Sequence, residues 1–130
     1  MVNPILTIKS HKEFETVTQD LQDAVQHHKF GVMTTHDLKQ TMANKGVEFS
    51  RECRIFEVCN PHQAKIVLES NMEISAALPC RISVYREGGE TVMVTFRPTA
   101  MMGMFAAEGL ADVAQEVEDT IAAIMKEAAE

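Results

Sequence analysis

Several residue types are scarce in this chain, and their scarcity excludes whole classes of protein. It has no tryptophan, one tyrosine and three cysteines among 130 residues. A small, odd number of cysteines does not suit a disulfide scaffold and indicates a reducing compartment. No apolar run approaches the roughly 18 residues that span a bilayer, and residues 1–10 lack the basic start of a signal peptide. We therefore expect a cytoplasmic protein that does not cross a membrane.

Positive charge and known catalytic motifs are also missing. Twelve basic residues stand against 19 acidic ones, and the formal net charge is -7. Because nucleic acids and anionic membranes bind clustered Lys and Arg, we expect neither as a partner. The chain has no glycine-rich nucleotide fingerprint, P-loop, serine nucleophile elbow, zinc-protease helix or Cys-x-x-Cys pair. Whether the protein is an enzyme stays open.

The composition that is present predicts one globular domain over residues 1–130. Apolar residues make up 45% and charged residues 24% of the chain, which is ordinary for a folded domain. No linker, repeat or low-complexity run suggests a boundary. A chain of this length buries enough surface for one core.

Helical spacing of apolar residues predicts two long helices. Ser10 and Glu13 have the spacing of a capping box and predict the start of the first, which ends near residues 27–29. The second runs over about residues 108–128. The apolar stripes of the two helices consist of Phe14, Val17, Leu21 and Val25, and of Leu110, Val113, Val117, Ile121, Ile124 and Ala128.

Five strands are predicted around these helices, over residues 2–8, 30–35, 49–59, 81–87 and 90–97. Residues 37–44 suit a short helix, and Asn60-Pro61 suits the start of another, with Gln63 completing a capping box. We expect a three-residue hairpin loop, Glu87–Gly89, because it places Val84 opposite Val92 on one apolar face.

These elements predict an α+β fold. Their order is strand, helix, four strands and helix, with short extra helices in the connections. Because the strands alternate apolar and polar residues, we expect a mainly antiparallel five-stranded sheet covered by the two long helices.

Short segments of the chain resemble the domain-of-unknown-function family 302. The resemblance lies in Phe30-Gly31-Val32, His36-Asp37-Leu38, Glu57-Val58-Cys59-Asn60-Pro61 with Ala64, and Leu78-Pro79-Cys80-Arg81-Ile82-Ser83-Val84-Tyr85, in matching order and spacing. It implies a fold like the TATA-binding-protein group, with a curved antiparallel sheet gripping helices. It also implies a homodimer, and it supplies no activity.

Two cysteines are candidates for chemistry. Cys59 directly precedes the predicted Asn60 helix start, where backbone N–H groups and the helix dipole favour a thiolate and lower the thiol pKa. Cys80 begins a strand that we expect near the same end of the sheet. The pair suits redox work, sulfur transfer or a soft ion. The alternative is two small buried residues, because free cysteine is among the most buried types. Cys53, six strand residues from Cys59, reads as a packing residue.

A second candidate site combines His36 with a methionine-rich segment. Its residues are Met101, Met102, Met104 and Phe105. Methionine packs adaptably, and thioethers also bind Cu(I) or haem iron, so non-covalent haem is one candidate cofactor. The plain alternative is that Asp37 caps a helix while His36 is exposed.

Three functions therefore remain open. The leading hypothesis is a dimeric, non-catalytic small-ligand binding protein with its pocket beside residues 101–105. A cysteine-based redox or sulfur-transfer protein is the rival, and a structural module that binds a basic partner is the third.

Overall fold

The described residues, 3–105 and 109–130 of a computed structural model, form five strands, five α-helices and a 3₁₀ helix. The strands are β1 (Ile5–Ser10), β2 (Gly31–Asp37), β3 (Cys53–Cys59), β4 (Cys80–Glu87) and β5 (Glu90–Phe96). The helices are α1 (Phe14–His27), α2 (Leu38–Asn44), α3 (Pro61–Ser70), α4 (Pro98–Met102) and α5 (Ala111–Ala129), and the 3₁₀ helix is Met72–Ala77.

The strands lie in one sheet in the order β1-β5-β4-β3-β2, and every neighbouring pair is antiparallel. The long helices α1 and α5 pack on each other and on one face of the sheet. The predicted α+β fold, with its element order and two covering helices, is confirmed. The sequence did not predict α4 or the 3₁₀ helix.

Two clusters of buried apolar residues form the interior. The main cluster joins the inner face of the sheet to α1 and α5, and includes Phe56, Ile82, Leu21, Ile121 and Ile124. The smaller cluster lies among α3, the 3₁₀ helix, α4 and the start of α5. Its buried members are Val67, Ile74, Met102, Leu110 and Ala114.

The predicted capping box at the first helix is wrong. Ser10 is the last residue of β1, and its hydroxyl donates to the Ala129 carbonyl at 2.8 Å while accepting from the Lys12 N–H at 3.2 Å. Glu13 occupies the cap position without a side-chain hydrogen bond. The predicted first strand included Val2, which lies outside the described residues, as does the predicted start of the last helix at Glu108.

The predicted three-residue hairpin loop is also wrong. Glu87 pairs with Glu90 and Val84 with Met93, so the loop is the two residues Gly88-Gly89. Both have positive φ, 59° and 82°, as a tight two-residue hairpin turn requires.

This register changes which side of β5 faces the helices. Thr91, Met93 and Thr95 turn to the helix-covered face and are buried. Val94 and Phe96 turn to the other, outer face of the sheet. Phe96 is 41% exposed there, beside its β1 partner Ile5. The outer face therefore carries apolar residues without a covering helix among the described residues.

Within the described part of the chain, none of the helices combines the length and apolar character needed to cross a membrane.

Candidate functional site

The end of β3, the start of β4 and the end of β5 meet at one rim of the sheet. Val58 pairs with Cys80, so Cys59 lies one residue beyond that pair. Because Ile82 pairs with Thr95, the chain leaves β5 at the same rim and enters α4. The prediction that the turn before α3 and the start of the hairpin lie together is confirmed.

A small cavity, which we call the rim cavity, lies at this place. Its volume is about 30 Å³, room for about two water molecules. Its lining is mostly apolar and includes both rim cysteines and one methionine. The lining residues are Phe30, Val58, Cys59, Asn60, Gln63, Ala64, Val67, Leu78, Pro79, Cys80, Met102 and Val117.

The rim cavity lies between the two apolar clusters, and Leu78, which lines it, packs against both. Val58, Cys80 and Val117 belong to the main cluster, whereas Val67 and Met102 belong to the smaller one. The gap thus lies where the packing of the sheet core gives way to the packing of α3 and α4.

The start of α3 forms one wall of the rim cavity. The Asn60 side-chain oxygen accepts the N–H groups of His62 at 3.0 Å and Gln63 at 3.3 Å, which confirms Asn60 as the helix cap. The predicted return bond from the Gln63 side chain does not form. Instead, Gln63 lines the cavity, and its Oε1 is buried without a hydrogen-bond partner among the described residues.

The expected activation of Cys59 as a thiolate is not what this environment produces. Partial burial raises the pKa of the Cys59 thiol. The two nearest helix N–H groups already bind Asn60, so they do not stabilise a thiolate. Burial, followed by the nearby charge of Cys59, raises the pKa of Cys80 to about 11. Both groups are therefore thiols at neutral pH, and neither forms a disulfide.

The methionine-rich segment contributes unequally to the site. Met102 is 9% exposed and lines the rim cavity. Met102 and Phe105 also line an open groove of about 480 Å³ between α4 and α5. Met101 is half-buried on α4, and Met104 is 71% exposed. The segment thus supplies one methionine, Met102, to the lining of the rim cavity, and the same residue lines the groove.

A second open groove adjoins the rim cavity on the β2 side. It shares Cys59 and Ala64 with the cavity and continues over Val32, Pro61 and Leu68. Cys59 therefore lines both the rim cavity and this groove.

Helix α4 is held in place by a buried carboxylate. Glu118 of α5 is 8% exposed and accepts hydrogen bonds from the Thr99 N–H, the Thr99 hydroxyl and Arg97. This contact fixes the helix that carries Met102. Sequence reasoning missed Glu118 and gave Gln63 only a capping role, because the surroundings of both depend on contacts between distant segments.

His36 does not join the methionines. It lies on β2 opposite Ile55, five residues from the rim end of that strand at Gly31. It is exposed, with its Nε2 3.5 Å from Glu57 Oε1. Asp37 caps α2 by accepting the Gln40 N–H at 3.0 Å, as the plain alternative predicted.

Cys53 lies at the opposite end of β3 from Cys59, with its sulfur 3.9 Å from the Ser83 hydroxyl. It takes no part in the rim cavity.

The fold and this site define a small α+β protein with an open antiparallel sheet, helices on one face and a mostly apolar cavity at one rim. A family model described as "Domain of unknown function DUF302" matches residues 6–128, and the chain belongs to this family. The resemblance read from the sequence motifs is thereby confirmed.

A solved structure supports the same relationship. The crystal structure of an uncharacterized conserved DUF302 protein from Bacillus stearothermophilus is similar to this chain, with 28% sequence identity and a TM-score of 0.92. The match covers 98% of this chain and 99% of that chain. No curated protein matches the chain.

Proposed function

We propose that the protein is a non-catalytic small-ligand binding protein and that the rim cavity receives its ligand. The observation that carries this proposal is the unsatisfied Oε1 of Gln63, a residue that lines this mostly apolar cavity. Leaving a buried polar atom unpaired costs about 1–3 kcal/mol. A ligand that pairs with the Gln63 amide recovers that free energy when it binds.

The size of the rim cavity limits what enters it. Sites for drug-sized ligands measure about 300–1,000 Å³, whereas this cavity measures about 30 Å³. We therefore propose a ligand, or a ligand end group, of only a few heavy atoms. The rest of a longer ligand would lie in the groove that shares Cys59 and Ala64 with the cavity.

Haem is a larger candidate ligand than the rim cavity can hold, so it would have to bind elsewhere. His36 and the methionines lie apart, so they do not supply two axial ligands to one iron. A haem would instead lie in the groove beside Met102 and Phe105. Titration with haemin tests the haem hypothesis. If adding the protein leaves the absorption spectrum of free haemin unchanged, the hypothesis is wrong.

The experiment for the rim cavity uses xenon and 1-propanol as probes. Xenon reports apolar cavities, and the hydroxyl of propanol can donate to Gln63 Oε1. We expect saturable shifts of the Cys59 and Gln63 amide signals in ¹H–¹⁵N spectra. The Ala64→Leu variant, which fills the cavity mouth, should lose them, and Ala43→Leu on exposed α2 should keep them. Absence of saturable shifts in the unmodified protein would remove the proposal.

Native mass spectrometry of untreated protein complements this test. It reports a retained ligand and the mass of the assembly in the same measurement. A bound mass that disappears in Ala64→Leu but not in Ala43→Leu supports the rim cavity as its site.

The rival thiol function rests on the same cysteines. Its support is that Cys59 and Cys80 face one cavity; the raised pKa values of both thiols weigh against it. A redox or sulfur-transfer nucleophile works as a thiolate. The structure therefore favours binding over catalysis, and alkylation rates decide between them.

The family resemblance implied a homodimer, and we also propose that two copies associate through the outer face of the sheet. Phe96 and Val94 give this face its apolar character, and the Arg81–Glu57 ion pair of 3.1 Å adds charges of both signs. A two-fold interface places a patch against its own copy, which suits a surface with both charges. Three free cysteines support a cytoplasmic location.

The remaining candidate is a structural module that binds a basic partner. Its support is the exposed acidic side of α5, which carries Asp112, Glu116, Asp119 and Glu127. This version predicts no bound ligand in the rim cavity.

A further inference from the structure

We propose that the rim cavity is a Cu(I) site in which Cys59 and Cys80 bind the ion as thiolates and Met102 supplies a thioether. The inference rests on the proposed ligand-binding function and names its ligand class, a soft monovalent metal ion. Three sulfur-containing residues on three separate elements, β3, β4 and α4, line one cavity of about 30 Å³. Thiolate and thioether ligands together select Cu(I).

The strand register brings the backbones of the two cysteines close together. Opposite residues of antiparallel strands are about 4.5–5.5 Å apart, and one residue advances about 3.3 Å along a strand. Because Val58 pairs with Cys80, these spacings place the Cys59 and Cys80 Cα atoms about 6 Å apart. Cys59 is the last residue of β3, where the chain turns into α3, and both cysteines line the rim cavity.

The residues around the cavity suit Cu(I) better than a harder ion. Among the described residues, no group of three His, Cys, Asp or Glu side chains is placed to hold a metal. That observation disfavours the four-ligand sites of Zn²⁺ and the oxygen-rich sites of Ca²⁺. Two thiolates and a thioether, in contrast, are a sufficient soft ligand set.

Binding proceeds without a redox change. Cys59 and Cys80 each release one proton to solvent, and each sulfur donates an electron pair to Cu(I). The product is an anionic bis-thiolate centre. Gln63 stabilises this negative charge. Rotation of its amide group exchanges Oε1 for Nε2, so that an N–H group donates a hydrogen bond to a thiolate. The buried oxygen that lacks a partner in the empty cavity would thereby move outward.

The test is a competition for Cu(I) between the full-length protein and bicinchoninate under anaerobic, reducing conditions. We expect one Cu(I) per chain. Cys59→Ser and Cys80→Ser should each weaken binding by more than about 100-fold, since second-shell changes alone weaken metal sites by about 10–100-fold. Cys53→Ser is the matched control, because Cys53 lies at the other end of β3, and it should leave the affinity unchanged.

The pH dependence adds a second readout. Binding that releases two protons strengthens about 100-fold per pH unit below both thiol pKa values, whereas binding by one thiol strengthens about 10-fold. We expect the steeper dependence between pH 6 and 8. If Cys80→Ser fails to fold, Met102→Leu serves, because it keeps the volume and removes only the thioether. It should weaken binding by about 10-fold.

Two results would overturn the copper site: no Cu(I) taken from bicinchoninate, or binding that Cys53→Ser removes and Cys59→Ser does not. The xenon and propanol shifts separate this failure from failure of the proposed function. If those shifts persist while Cu(I) does not bind, the cavity receives a ligand of another class. If both are missing, the proposed function fails as well.

Discussion

The carboxylate of Glu118 caps helix α4 by accepting two hydrogen bonds from Thr99, one from its backbone N–H at 3.2 Å and one from its hydroxyl at 2.6 Å. The second carboxylate oxygen accepts from Arg97 at 3.3 Å. The cap therefore comes from a helix that is distant in sequence. It sets the position of Met102 at the rim cavity.

Glu118→Gln should destabilise the protein by about 1–3 kcal/mol, because an amide nitrogen cannot accept the bonds that one carboxylate oxygen now receives. Urea unfolding measures the free energy of unfolding. Exposed Glu116, on the same helix, gives the control Glu116→Gln, which should change it by less than about 0.5 kcal/mol. Equal stability of the two variants would show that the buried contact contributes nothing.

The ends of α1 and α5 form a pH-sensitive contact. Glu127 Oε2 lies 2.8 Å from His27 Nδ1, and Oε1 lies 3.2 Å from His28 Nε2. The hydrogen bond with His27, followed by the one with His28, lowers the pKa of Glu127 below its ordinary value of 4.5. A lowered folded-state pKa contributes stability above the unfolded value, and this stability disappears as the pH falls through the folded value.

Glu127→Gln should therefore lower Tm at pH 6, and the difference from the unmodified protein should shrink as the pH falls below 4.5 toward 3. Thermal unfolding followed by circular dichroism at several pH values measures this. Glu116→Gln again serves as the control. A Tm difference that is the same at pH 6 and pH 3 would contradict the assignment.

Alkylation by iodoacetamide should be slow at both rim cysteines. In a Cys53→Ser, Cys80→Ser background, we expect Cys59 to react more slowly than glutathione at pH 7.5, because burial raises its pKa. With Cys80 as the only cysteine, the rate should rise with pH toward a midpoint of about 11. A Cys59 that reacts faster than glutathione would restore the thiol function as the better proposal.

The hairpin turn should be intolerant of a side chain at Gly89. Its φ of 82° is in the left-handed region, where an ordinary L-residue costs about 1–2 kcal/mol. Gly89→Ala should lower the free energy of unfolding by that amount. Gly31→Ala is the matched control, because a Cβ there meets nothing within 4 Å and its φ is not positive. Equal losses in both variants would argue against strain at the turn.

A dimer through the outer sheet face should depend on Phe96. We expect Phe96→Asp to weaken dimerisation by at least about 2 kcal/mol, or roughly 30-fold in Kd, as central aromatic interface residues do. Light scattering coupled to size exclusion measures the mass. Val47→Asp, at an exposed valine between α2 and β3, should leave the dimer intact. A monomeric unmodified protein would dismiss this interface.

The elements that the sequence predicted well have local causes. Asn60-Pro61 starts α3 because a cap and a fixed φ act within three residues, and Asp37 starts α2 through its cap alone. The stripes of α1 and α5 follow from helical spacing alone. Convergence of Cys59 and Cys80 followed from placing each at the correct strand end.

The hairpin register and the capping box failed because nonlocal contacts decided them. Alternation alone suggests that Val92 and Val94 face the helices, yet Met93 and the two threonines do so, and Val92 is buried on the outer face instead. Ser10 reaches the end of α5 rather than its own helix. Likewise, nothing local to Gln63 or Glu118 shows which distant group it meets.

The division of the interior into two clusters gives an occupant of the rim cavity a mechanical role. Helices α3 and α4 rest on the smaller cluster, so local opening of this part of the molecule need not disrupt the sheet core. A ligand bound in the rim cavity would contact both clusters. Helices α3 and α4 could then open only after the ligand had dissociated. If a bound ligand links the two clusters in this way, amide hydrogen exchange should slow in α3 and α4 and stay unchanged at the centre of the sheet.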